Sequence, residues 1–441
     1  MSSRLFFRDI SSGTGNRADT ARQRPGPPCA LFVRRVLTSR TGVGRGQTRT
    51  QSDDASGSLS HLVGRTAFHQ DPSGFGRRDQ ERRTLMYRPT FATVNLGALR
   101  HNLEVARRHA RGAKTFAVVK ANAYGHGLAR AVGALGAAEG FALLDLGEAI
   151  GLRDAGYRQR VLLLEGFFSP AEFALFAEHR LSAVVHTREQ LRMLRQLPKD
   201  AALDVFLKIN TGMNRLGFTA AEFPDALRAL QTNPGVERVT LMTHFADADG
   251  TSGVAWQTEV FNKLSTGLDL ESSLANSAAI FRFPETHADW VRPGIMLYGC
   301  SPFSEQTGAQ LGLVPVMTLE SRVIAVQQLR RGDAVGYGSL FVADRDMRIG
   351  VVTCGYADGY PRHAPTGTPI MVEGRLTRTV GRVSMDMLCA DLSDVPEALV
   401  GSRVVLWGEG VPVERVADAA GTVGYELLCG LAPRVPIRER E

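Results

Sequence analysis

The sequence predicts an α/β protein, an N-terminal (β/α)8 TIM-type barrel over residues 86–311 followed by a mainly β C-terminal domain over 312–441. Three observations predict it. Between residues 115 and 294, eight short apolar runs alternate with helical stretches. After about residue 312 the texture turns β-rich, punctuated by Gly, Pro and Asp, with few helical patterns. Residues 1–85 show neither pattern. Near-continuous apolar strands separated by helices require a parallel sheet covered on both faces. Eight is the number that closes a β/α barrel.

Taken in order, FATVNL at 91–96 reads as a short strand before a helix from Leu99 to Arg108, and it is expected to pair with the C-terminal domain. The eight runs are Thr115–Lys120, Phe141–Leu146, Val161–Gly166, Leu181–His186, Asp204–Asn210, Val239–Phe245, Ser272–Asn276 and Trp290–Arg292. Ser169–Pro170 reads as an N-cap with Pro at the first helical position, ahead of AEFALFAEH. Thr187 precedes REQLRMLRQL, which has apolar residues at helical spacing. A doubly wound sheet is disfavoured, because no glycine fingerprint follows the first strand. The loose candidate, GALGAAEG at 133–140, precedes a strand and reads as helix and turn. SRVIAVQQL, MRIGVVTCGY, TPIMVEG, TRTVGRVSMD and SRVVLWGEG then supply the β-rich domain.

Composition narrows the function classes. At 441 residues and 44% hydrophobic the chain can bury a large core. No run of eighteen apolar residues occurs, so no transmembrane helix is expected. The cysteines Cys29, Cys300, Cys354, Cys389 and Cys429 are odd in number and share no CxxC spacing, which fits a reduced, cytoplasmic chain without a structural metal. The net charge of +7 resides in the leader: residues 1–85 hold fifteen Arg and no Lys against seven acidic residues. The remainder is close to neutral, so no nucleic-acid partner is expected. The leader is rich in Arg, Ser, Gly, Thr and Gln and reads as disordered. It lacks the apolar stretch of a secretory signal, and its acidic residues argue against a transit peptide. Met86 reads as the natural start of the folded chain, with the upstream segment spurious, a targeting piece or an undefined tail.

Polar residues collect at the carboxyl ends of the runs: Lys120, Asn210 with Arg215, His244, Asn276 with Ser277, and Arg292 with Gly294. In a β/α barrel that end carries the active site. A lysine there, partly desolvated, has a lowered pKa and becomes a competent Schiff-base amine. The competing reading of Lys120 is a lysine that reaches out to the surface.

AVVKANAYGHG around Lys120 looks like the pyridoxal-phosphate lysine signature of the alanine racemases, a family of fold-type III enzymes. The likeness continues through KINTGMNRLGF, THF, ANSAA, VRPGIMLYG, GDAVGYGSLF, GYADGYPR, GRVSMDM and GYELLCGLAPRVP, in order, over everything after Met86. Any one string arises by chance; the ordered set is specific. The resemblance implies a PLP-dependent isomerase that interconverts L- and D-alanine, supplying D-alanine for peptidoglycan or clearing it in catabolism. It implies Lys120 as the Schiff-base residue and Tyr124, Ser277, the backbone of Gly294 and Ile295, and Tyr425 as phosphate holders. Glycine at 294 suits a backbone N–H that must approach an oxyanion.

The resemblance further implies that Arg292 faces the pyridine nitrogen. A guanidinium has no acceptor and stays protonated, so it only donates to that nitrogen and leaves it unprotonated. Two bases are implied on opposite faces of Cα. Lys120 takes the proton of the D-enantiomer and Tyr337 that of the L-enantiomer. A free tyrosine, with a pKa of about 10, is a weak base at neutral pH. His244 held against Arg292 matches the support the family gives it. Tyr337 is implied to come from a second subunit, hence a homodimer. Arg215 and the Met385 N–H match the positions that take the substrate carboxylate, for which an arginine fork is suited. Lys208 matches a lysine carbamylated in some members. Asp249, Tyr356, Arg362 and Arg382 match residues of the substrate access channel.

Two departures stand out. Ser273 occupies a position where many relatives carry a histidine that stacks on the cofactor ring, so a looser ring contact is expected. RVPI at 434–437 replaces a commoner RVPR. Three other readings stay open: a broader amino-acid racemase, a non-catalytic PLP-binding protein on the same barrel, and a fold-type III decarboxylase. Tyr337, Met385 and the β-rich domain argue against the second. The absence of an acidic residue at position 292 argues against the third.

Overall fold

The structure, a computed structural model, describes residues 88–110 and 112–441; the leader expectation for residues 1–85 and the start at Met86 lie outside the described residues. Strands β2 (Lys114–Val118), β3 (Gly140–Leu143), β4 (Arg160–Leu163), β5 (Ser182–Val185), β6 (Leu203–Lys208), β7 (Val236–Met242), β8 (Ser272–Asn276) and β9 (Trp290–Arg292) form a closed parallel barrel. Lys114 pairs with Trp290 to close it. All eight predicted runs are barrel strands. Most of their residues are buried, as strands covered on both faces require.

Helices leave the strands through short polar caps. The Asp145 side chain accepts from Glu148 N (2.9 Å), Thr187 from Gln190 N (3.2 Å) and Asn276 from Ala279 N (3.0 Å). Each meets an orphan donor of a first turn, a contact of about 1 kcal/mol. The Ser169 side chain caps Ala171 N with Pro170 at the first helical position, as expected. GALGAAEG is the end of the helix Leu128–Ala134 plus a turn into β3.

The second sheet is built on β10 (Met317–Leu329), with β13 (Met347–Val352), β14 (Pro369–Val372), β15 (Arg375–Val380), β16 (Leu388–Asp391) and β17 (Arg403–Trp407). Its order is β13-β16-β15-β14-β17-β10, and β13 pairs back onto β10. Register shifts at Leu319/Glu320 and Val323/Ala325 let the long β10 bend to serve both neighbours. The early strand β1 (Phe91–Asn95) joins this sheet antiparallel to β10 and parallel to β18 (Ile437–Arg440), as its sequence predicts. Between β10 and β13, the two-residue strands β11 (Ala334–Val335) and β12 (Phe341–Val342) make a hairpin. Two short helices, Val413–Ala420 and Gly424–Cys429, interrupt the β texture.

The floor of the barrel is polar. Arg160 forks onto Asp204 (Nε to Oδ2, 2.5 Å), reaches Glu271 (3.4 Å) and lies 4.5 Å above the Phe206 ring. Glu271 also accepts from Trp290 Nε1 (3.1 Å) and Lys114 Nζ (2.8 Å). This network closes the end opposite the candidate site.

Candidate active site

A cavity of about 740 Å³ opens at the carboxyl ends of the barrel strands. Its walls carry Lys120, Tyr124, Lys208, Arg215, His244, Asp249, Asn276, Ser277, Arg292, Gly294, Ile295 and Tyr425, twelve residues singled out from the sequence. Four cationic side chains face two carboxylates, Asp249 and Glu165. Such a surplus of positive charge favours an anion.

Lys120 departs from the strand position expected for it. β2 stops at Val118, and Lys120 opens a turn in which Ala121, Asn122, Ala123 and Tyr124 all have φ between +52° and +54°. The left-handed conformation costs roughly 1–2 kcal/mol per non-glycine residue, so neighbours must enforce it. The turn carries the Lys120 side chain and the Tyr124 ring to the cavity. Burial, then the nearby Arg215 cation, lowers the Lys120 pKa, which favours the free amine.

Tyr124 lies against Gly294. A Cβ on Gly294 would fall 2.6 Å from Tyr124 Oη, so any side chain here would displace the phenol. Beside them Ser277 Oγ accepts from Gly294 N (2.9 Å) and Met296 N (3.5 Å). Tyr425, on the helix Gly424–Cys429, completes this corner, with its ring 6.2 Å from that of Tyr124. Burial pushes both phenols up, so both keep their protons and act as donors.

Arg292 is buried and multiply held. Nη1 donates to Ser273 Oγ (2.6 Å), and Nη2 donates to Thr243 O (2.7 Å) and Leu274 O (3.0 Å), with His244 Nδ1 at 3.4 Å. Among the described residues its Nε has no partner and is left for the cavity. Burial lowers the guanidinium to about 9, still cationic at neutral pH. Because Arg292 only donates, His244 Nδ1 is the acceptor and the ring proton sits on Nε2. Burial, then Arg292, Lys208, Arg215 and Lys120, holds that imidazole neutral. Ser273 differs from the sequence expectation: it is fully buried, and its hydroxyl anchors Arg292 while donating to Trp290 O (2.8 Å). A side chain beneath the guanidinium does not face the cavity.

Lys208, the last residue of β6, is pushed down to about 8 by burial first, then by Arg292, Arg215 and Lys120. Asn210 does not line this cavity. It organises the loop before Arg215, its Oδ1 accepting from Gly212 N and Asn214 N (both 3.0 Å). Glu165 and Cys429 line the cavity and were not singled out. Glu165 ends the apolar run VLLLE, so the rule that found Lys120 finds it too.

The remaining candidates form a second cluster in the β-rich part. Tyr337 sits on the turn between β11 and β12 and is 70% exposed. Arg382 packs beside that turn: a Cβ on Gly338 would lie 3.6 Å from its guanidinium. Tyr356 N donates to Ser384 O (3.0 Å) and Ala357 N to Met385 O (2.9 Å), which sets Tyr356 next to Met385. Asp358, its side chain wholly buried, fixes this loop by accepting from Arg88 Nη2 (2.8 Å), Arg434 Nε (2.8 Å) and Gly355 N (2.9 Å). Arg362 is exposed nearby in sequence. None of Tyr337, Tyr356, Arg362, Arg382 and Met385 lines the barrel cavity of its own chain.

A closed β/α barrel with a lysine-bearing, cationic mouth and a β-rich companion defines a two-part barrel enzyme. Residues 94–302 match the family model for the alanine racemase N-terminal domain, and residues 316–439 the model for its C-terminal domain. The chain is 59% identical over 353 residues to an alanine racemase of Nitrosospira multiformis, covering 79% of this chain and 99% of that one. It is 54% identical to one of Burkholderia mallei, covering 80% and 99%. Among solved structures, the biosynthetic alanine racemase of Pseudomonas aeruginosa superposes with a TM-score of 0.78 at 48% identity, covering 80% of this chain and all of that one. The chain belongs to the alanine racemase family.

Proposed function

We propose that this chain is a pyridoxal-phosphate-dependent isomerase that interconverts L- and D-alanine by two-base proton exchange at Cα, working as a cytoplasmic homodimer. The observation that carries the reading is the lysine of lowered pKa standing in one cavity with the buried Arg292 and the Tyr124–Ser277–Gly294 corner.

The residues fit pyridoxal phosphate on chemistry. Lys120 offers the amine, and the glycine cradle with its phenol and hydroxyl donors suits a phosphate. The Nε of Arg292 offers a donor that cannot give up its proton to a pyridine nitrogen. When bound, the cofactor supplies the electron sink that lets the Cα proton leave. Tyr124, Ser277, the backbone of Gly294 and Ile295, and Tyr425 would hold its phosphate.

Lys120 Nζ takes or returns the proton on one face of Cα, the D side. Tyr337 Oη of a second copy does so on the L side. We assign the His244 Nε2–H, whose ring is oriented by Arg292, as the donor to that Oη. Arg215 and the Met385 N–H of the second copy hold the substrate carboxylate. Asp249, Tyr356, Arg362 and Arg382 narrow the approach, and charged walls select a small zwitterion. Lys208, with a neutral amine accessible near pH 8, is the residue we assign to carbamylation, which would pair it with Arg215.

The test is racemisation of a panel of L-amino acids followed by circular dichroism. Alanine should lose optical activity fastest. Retained ellipticity with every substrate, in a chain shown to carry the cofactor, would refute the assignment.

A further inference from the structure

His126 lies two residues beyond the left-handed turn, fully buried and outside the cavity wall. Its Nδ1 stands 3.0 Å from Ala123 O and 2.9 Å from Tyr124 O. Carbonyl oxygens only accept, so the ring proton is on Nδ1. The backbone of the turn is also held by bonds from Gly125 N to Ala121 O (3.1 Å), His126 N to Ala123 O (3.0 Å) and Gly127 N to Asn122 O (3.0 Å), so the ring adds a second donor at Ala123 O and the side-chain donor at Tyr124 O.

The ring also stacks on Tyr298, centroid to centroid 4.7 Å, and Tyr298 stacks on Tyr124 at 4.6 Å. Tyr298 Oη donates to Val118 O (2.9 Å), the last residue of β2. A closed circuit results. It runs from the end of β2 through Lys120 and the turn to His126, then through Tyr298 back to β2.

We infer that His126 is a positioning residue, whose Nδ1–H clamps the left-handed turn Ala121–Tyr124 and thereby sets where Lys120 Nζ and Tyr124 Oη stand in the barrel mouth. Two observations argue against a merely space-filling ring. Nε2 is buried with no partner, a penalty an apolar ring of similar size avoids. The four left-handed residues contain no glycine, so the conformation is imposed from outside the segment. Nor is His126 an acid or base: burial takes it down to about 4, and it does not line the cavity at the barrel mouth.

The inference rests on the reading of Lys120 and Tyr124 as cofactor-holding residues, and the test separates the two. His126→Phe keeps the ring and loses the donor; His126→Asn keeps a donor near the Nδ1 position. In the cofactor-free chain, hydrogen exchange of the amides of Gly125 and Gly127 should speed up in His126→Phe and stay near wild type in His126→Asn. Titration with pyridoxal phosphate should then show affinity about tenfold or more weaker in His126→Phe and within a few-fold of wild type in His126→Asn. Should His126→Phe fail to fold, Tyr298→Phe, which loses only the bond to Val118 O, should show the same faster exchange to a smaller degree. Unchanged exchange and unchanged affinity in His126→Phe, or unchanged exchange in Tyr298→Phe, would overturn the clamp. A wild-type chain that takes no cofactor would sink the functional reading, and the exchange arm would still decide on His126.

Discussion

The guanidinium of Arg292 donates to the hydroxyl of Ser273 at 2.6 Å, beneath the floor of the cavity. Ser273, expected from the sequence to loosen a ring contact, is thus an anchor for the cation. Ser273→Ala leaves Nη1 buried without its acceptor, a loss of about 1–3 kcal/mol of stability. We expect racemisation to slow several-fold while the KM for alanine stays within about twofold, since the defect lies at Arg292 and not at the substrate. Urea unfolding and steady-state kinetics measure the two effects. A destabilised variant with wild-type kcat would show that Arg292 does not depend on Ser273.

Arg292→Lys keeps a cation but loses the fork that reaches Ser273, Thr243 and Leu274. An ammonium also surrenders its proton more readily than a guanidinium. Racemisation should fall about a hundredfold, and the cofactor should drift toward its amine form by transamination during turnover. Absorbance spectra taken through many turnovers check this. Fast racemisation without drift would contradict the role given to Arg292.

Lys208 titrates near 8 in the folded chain and near 10.5 when unfolded. Its folded pKa is depressed, so the unfolded chain binds the extra proton between those values, and stability rises with pH across that window. Below 8 the buried cation is a full penalty. In CO2-free buffer and without cofactor, Lys208→Met should therefore be more stable than wild type at pH 7 by on the order of 2 kcal/mol, the gap closing towards pH 10.5. Urea unfolding at both pH values reads it. A gap independent of pH would mean that the methionine acts through packing alone.

Arg160→Met leaves Asp204 without its cation at the barrel floor, while Glu271 keeps Lys114 and Trp290. Removing one partner of a mostly buried ion pair costs about 3 kcal/mol or more. The KM for alanine should not move, because this network lies at the opposite end of the barrel from the cavity. Adding Asp204→Asn should recover part of the stability. A change in KM would show that the two ends of the barrel are coupled.

The eight barrel strands were legible because each is an apolar run with a polar residue at its end, and Lys120, His244 and Arg292 were legible for the same reason. Glu165 obeyed that rule and was passed over. The left-handed turn was not legible: KANAY contains no glycine to announce positive φ, and its conformation is enforced by His126 and Tyr298, the latter far along the chain. The resemblance supplied Tyr425 without the helix Gly424–Cys429, which is too short for periodicity to declare. Ser273 looked like a loss because its partner, Arg292, is nineteen residues away and visible only in the fold.

Tyr337 lies outside the cavity that holds Lys120 in its own chain, so the two-base account requires two copies. Mixing inactive Lys120→Ala with inactive Tyr337→Phe under conditions that let subunits exchange tests this most directly. Each mixed dimer would hold one site with both bases intact, and about a quarter of wild-type racemase activity should return. If subunits demonstrably exchange and no activity returns, Lys120 and Tyr337 do not share a site across two chains, and the account is contradicted.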